Sequence, residues 1–165
     1  MITDVSPRMA YTCDGSTVAF AFAFRLLQTA DLYVYTRVIA TGVQALLTEG
    51  VDYTVSAANN DYTSGGTVTT TATYASTYQL VLVRRTSLTQ ETDYTDGSAF
   101  PANSHELALD KLTMIAQELQ EQLERVPMNQ ATDFASGTTD MTLPDRIDRA
   151  SLAFTFDADG NPTAT

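Results

Sequence analysis

Three carboxylates, Glu91, Asp93 and Asp96, stand close together in this 165-residue chain. Two such groups could cleave a glycosidic bond, one as acid and the other as base or nucleophile. They follow Arg84 and Arg85 and occupy a stretch dense in aspartate, glycine and serine. Ion pairs and side-chain-capped turns account for them without catalysis. The segment Asp157-Ala158-Asp159-Gly160-Asn161 suggests a calcium loop, but an EF-hand needs glycine at its sixth position and glutamate at its twelfth. Here Gly160 stands fourth and Thr165 comes before a twelfth ligand, so a turn after a strand is the better reading. His105 is the single histidine and falls in a first helical turn, with no second histidine to share a metal. Cys13 is the single cysteine. It can form neither an internal disulfide nor a cysteine-only zinc site, and it reads as a small buried residue beside a turn. There is no Gly-x-Ser-x-Gly elbow and no glycine-rich phosphate loop before a helix. The expectation is a protein that is not an enzyme, with no catalytic residues, no cofactor and no metal.

Charge is unevenly spread. The formal net charge is −11. Residues 1–90 hold six acids and five bases, net −1, whereas residues 91–165 hold 14 acids and four bases, net −10. Phosphate backbones repel such a chain, so nucleic-acid binding is not expected, and a partner with basic groups suits the back half. No apolar run approaches the roughly 20 residues of a membrane span, and no basic-then-apolar leader opens the sequence. No membrane insertion is expected, and synthesis is expected in a cytoplasm.

The elements that would position these residues change character near residue 100. Residues 1–10 are polar, contain Pro7 and read as an N-terminal arm. Residues 11–101 read as an antiparallel β-sandwich. Tyr11–Cys13, the turn Asp14-Gly15-Ser16 and Thr17–Phe24 suggest a hairpin. Alternation puts Phe20, Phe22 and Phe24 on a core face and Ala19, Ala21 and Ala23 on a thin outer face. Further strands are expected over Leu32–Val38, Val43–Leu47, Val51–Val55, Thr67–Tyr74 and Tyr78–Arg85, separated by turn-forming residues. The last of these is apolar on both faces, as in a strand covered on both sides. The threonine run at 67–74 reads as an outer or edge strand.

Residues 102–126 read as one helix. Asn103 can cap it, Glu106 can complete a capping box, and Pro127 ends it. Leu112, Leu119 and Val126 recur every seven residues, with Ile115, Ala116 and Leu123 between them and Gln122 as a polar interruption. This stripe could pack on the chain's own sandwich or join like helices in a parallel bundle. The bundle is the preferred reading, with Leu112, Ile115, Leu119, Leu123 and Val126 as the oligomerisation seam. Residues 127–165 lack sustained periodicity beyond a strand-like Leu152–Phe156 and read as an extended tail.

Two stretches, "YTCDGSTVAFAFAF" and "YQLVLVRRTSLTQETDYTDGSAFPA", with "DY" at Asp52-Tyr53 between them, resemble the N-terminal tail-anchoring domain of T-seven-type bacteriophage tail fibres. The matching positions include Tyr11, Asp14, Gly15, Ser16, Phe20 and Phe24 in the first, and Arg84, Arg85, Thr95, Asp96, Gly97, Ser98 and Ala102 in the second. The closing "FDADGNP" resembles a segment of phage fibres where the anchor meets the shaft. The resemblance covers roughly residues 10–125. It implies a virion structural protein of the tail: a homotrimer whose β domain docks on the tail tube (adaptor or nozzle) proteins and whose helices lead into a stem. These 165 residues hold no receptor-binding tip, so the expected role is a fibre adaptor or short fibre, with residues 127–165 as a docking site for another fibre or tailspike. A rival reading is a carbohydrate-binding sandwich using Tyr62, Tyr74 and Tyr78, against which the lack of tryptophan counts.

Overall fold

The computed structural model describes residues 6–90, 92, 101–126, 150, 153–156 and 162–164. Before the helix, seven strands form among these residues: β1 (Arg8–Thr12), β2 (Ala19–Phe22), β3 (Leu32–Val38), β4 (Gln44–Leu46), β5 (Tyr53–Ser56), β6 (Gly66–Thr70) and β7 (Tyr78–Arg84). They build two antiparallel sheets, one ordered β1-β7-β3-β4 and the other β2-β6-β5. The expected mainly β fold is thus found: an antiparallel sandwich followed by one long helix.

Alternation sets the core. From the first sheet Leu32, Val34, Leu80 and Leu82 point inward; from the second, Phe20, Phe22, Val68 and Tyr53 do. Phe24 and Leu26, just past β2, join them. Each large apolar side chain buried in this way contributes roughly 1.5–3 kcal/mol. Phe22 lies opposite Gly66 in the β2–β6 pair. Gly66 leaves room for that ring, because an added Cβ would come within 2.9 Å of Phe22 Cζ. The preceding Gly65 has φ +93° and packs so close to the Phe22 backbone that any Cβ would collide with its carbonyl oxygen.

Three expectations are corrected. The first two strands do not form a hairpin: β1 pairs with β7 and β2 with β6, so Asp14-Gly15-Ser16 is a corner where the chain changes sheets. The amide of Cys13 donates to Tyr78 O at 3.0 Å and that of Gly15 to Tyr74 O at 2.9 Å, fastening the corner to the start of β7 and the loop before it. The threonine-rich strand is β6, the centre of its sheet rather than an edge. Its buried members are Val68 and Thr70, and Thr67 and Thr69 fall on the outer face. Residues 8–10, expected to belong to the N-terminal arm, are instead part of β1, which begins at Arg8.

The helix α1 spans Ala102–Leu123, and its first intrahelical bond runs from the His105 amide to Pro101 O at 3.0 Å. Pro101 therefore stands at the cap position, and Asn103 lies inside the first turn, two positions past it. The chain falls into two compact units, residues 1–123, which include the helix, and residues 124–165. In the second unit, β8 (Phe154–Phe156) pairs antiparallel with β9 (Pro162–Ala164). Most of the expected tail, with Asp157–Asn161, lies outside the described residues.

Candidate functional site

Arg84 ends β7 with its side chain pointing inward, and it is only 2% exposed. A buried guanidinium needs acceptors for its five donors. Arg84 Nε donates to Glu118 Oε1 at 2.7 Å, one terminal nitrogen to Gln117 Oε1 at 3.0 Å and to Met114 O at 3.3 Å, and the other to Arg25 O at 3.2 Å. Glu118 is filled from the opposite side by the Thr86 amide (2.9 Å) and the Thr86 hydroxyl (2.7 Å). Arg25, which follows β2, pairs with Asp110, about two turns N-terminal to Glu118 on the helix. Arg8 of β1 stands 3.8 Å from Glu121.

Asp110, Met114 and Glu118 recur every fourth residue, so one helical stripe meets the sandwich. That stripe is mostly polar, and its one apolar member, Met114, is fully buried. At about 100° per residue, Leu112, Leu119 and Leu123 fall on the opposite side of the helix. Leu112 is 63% exposed and Leu119 53%; Leu123 and Val126 are exposed as well, and Ile115 is half-buried. The segment after β7 runs beside this face, held by Lys111 Nζ donating to Thr89 O at 2.6 Å. Leu88 is exposed there, and with Leu112 and Ile115 it lines a shallow apolar groove of about 260 Å³.

The other residues singled out by sequence fall apart into separate duties. Phe20 and Phe24 are core. Asp14 closes the corner: its carboxylate accepts from the Thr17 hydroxyl (2.6 Å), the Thr17 amide (2.7 Å) and the Ser16 amide (2.8 Å). These bonds, those of Thr17 foremost, hold its carboxyl well below the usual carboxylate range. Gly15 supplies φ +83° in the same turn. Arg85 is exposed and its guanidinium lies 5.4 Å from the centre of the Tyr33 ring. Asp96, Gly97, Glu91 and Asp93 lie outside the described residues. Tyr62, Tyr74 and Tyr78 are half-buried and pack against the core, with Tyr74 and Tyr78 6.1 Å apart. They form part of the sandwich wall rather than a projecting platform. Among the described residues no cluster of three or more histidine, cysteine or acidic side chains could hold a metal. None of the described helices is long and apolar enough to cross a membrane.

Sequence reasoning missed Arg25, Asp110, Gln117 and Glu118 as a group. Their signal was the eight-residue spacing of Asp110 and Glu118, two helical turns with Met114 midway, which in sequence looks like an ordinary solvated helix face.

No protein-family model matches the chain. The chain is 37% identical over 109 residues, 66% of its length, to the tail spike protein of Salmonella phage epsilon15. The match falls in the N-terminal part of that protein, and the chain spans 10% of its length. The chain is thus related to the N-terminal part of a phage tail spike.

Proposed function

We propose that this chain is a structural protein of a phage tail, a fibre adaptor or short fibre. In this reading the sandwich docks on the tail tube, three copies join along their helices, and residues 127–165 present a seat for another fibre or tailspike. The observation that carries it is the 37% identity over 109 residues to the N-terminal part of a tail spike.

The helix supports the assembly part. Its polar stripe is already satisfied by the sandwich, and its leucine stripe is left facing outward. Contiguous apolar surface of this kind marks an interface. The arginine clamp would fix the angle at which each helix leaves its own sandwich, so that three seams can meet. Nothing in the half-buried tyrosines favours the glycan-binding reading.

The test is composition and position in the particle. Mass spectrometry of purified virions from the encoding phage should find the chain, and a gold-labelled antibody against it should decorate tails. Its absence from virions, or label on the head alone, would sink the proposal.

A further inference from the structure

The four-stranded sheet has a second, outward face, and its chemistry differs from that of the rest of the chain. None of its strands, β1, β3, β4 or β7, contains an aspartate or glutamate, although the whole chain is −11. On this face Tyr35 stands beside Val81 in one direction and Leu46 in the other, because the register pairs all three. Tyr33 and Arg37 flank Tyr35 along β3. Arg85, one residue past β7, lies over the Tyr33 ring. Val81 is buried yet stands outside the core cluster, because its neighbours on this outer face cover it.

The cations here are poorly compensated. Arg37 donates to the neutral Gln79 at 3.0 Å, and neither Arg37 nor Arg85 makes an ion pair among the described residues. Among the described residues Arg8, at the rim, meets a carboxylate, Glu121 at 3.8 Å. The face ends at β4, which among the described residues is an edge strand bonded to β3 alone. There Leu46 is 55% exposed. Arginine and tyrosine around an apolar centre are the residue types that dominate binding at protein interfaces.

We infer that this arginine–tyrosine face is a docking surface for a protein partner that presents carboxylates to Arg37 and Arg85 and an apolar strip to Tyr35 and Leu46, with the buried Val81 packed beneath them. Charge complementarity selects the partner: an acidic surface is the one kind that relieves these guanidinium groups. The apolar centre and the open backbone edge of β4 suit a polypeptide, which can bury the first and bond the second. Nucleic acid suits it less, because the chain's net charge repels phosphate. The inference rests on the tail-docking reading and assigns it a face and a partner chemistry.

The experiment adds the purified full-length chain to particles of the encoding phage assembled without it, and measures the amount that sediments with them. The wild-type chain should bind. Arg37→Gln with Arg85→Gln should weaken binding at least about tenfold. A control that changes the net charge equally, Thr54→Glu with Ser56→Glu on exposed positions of β5, should bind like wild type. Circular dichroism checks that each variant keeps its strands. Leu46→Asp serves as a second disruption if the arginine pair does not fold. Wild-type binding combined with unchanged binding of the folded arginine variant overturns this inference and leaves the tail reading standing. No binding of the wild type overturns both. Binding lost on nuclease treatment, or competed by short duplex DNA, replaces the protein partner with nucleic acid and overturns the inference too.

Discussion

Tyr53 shows how one side chain ties the two sheets together. It sits in β5, and its hydroxyl donates to Leu32 O of the opposite sheet at 3.2 Å. Burial, followed by the nearby Glu49 and Tyr33, pushes its phenol up to about 12. An unfolded tyrosine ionises near pH 10. The folded chain therefore holds this proton more tightly, and the linked stability is complete below about pH 10. It is lost as pH rises through about 12. The expected outcome is a fall in the thermal midpoint between these two values that Tyr53→Phe removes. An identical alkaline profile in the Phe variant would assign the transition to other groups. Tyr53 was legible only as a strand residue, since its partner Leu32 lies 21 residues away.

At the scale of elements, the decisive contact is between β7 and α1. Both partners of the Arg84–Glu118 pair are buried, and every acceptor of the pair is used. Removing one partner strands the other, which costs about 3–5 kcal/mol. Replacing both with apolar side chains of similar volume is neutral or stabilising in comparable cases. Glu118→Ala should therefore lower the denaturant midpoint sharply, and Arg84→Met with Glu118→Leu should restore most of it. A double variant as unstable as the single one would mean that the ion pair itself, rather than its desolvation, holds the helix. This contact was hard to read because hydrophobic periodicity finds buried faces by apolar residues, and here the buried face is built from Asp110 and Glu118. The same periodicity found β3 and β7 well, since Leu32–Val38 and Tyr78–Arg84 are long and regular. It failed at Asp14-Gly15-Ser16, because turn chemistry is the same whether a strand returns to its own sheet or crosses to the other. It failed again at β6, where threonines on an outer face resemble those of an edge.

For the whole molecule, the two faces of α1 make opposite demands. Met114 is fully buried against the sandwich, whereas Leu119 is exposed on the far side. A charge at Leu119 should leave the single chain folded and act only between copies. Leu119→Asp is expected to convert a trimer to a monomer by light scattering with its strand signal intact. Met114→Asp should instead weaken the fold itself. Assembly must also overcome repulsion, since each copy carries −11 and Glu106 and Glu121 lie outside the seam. Salt screens such charges, with a Debye length of about 10 Å at 0.1 M and 3 Å at 1 M. Raising the salt should thus tighten the apolar helix seam while loosening attachment through Arg37 and Arg85. If the wild-type chain is a monomer at tens of micromolar, by order of magnitude, even in high salt, the leucine stripe does not assemble copies on its own. If Leu119→Asp leaves a trimer intact, the three copies are joined through another surface.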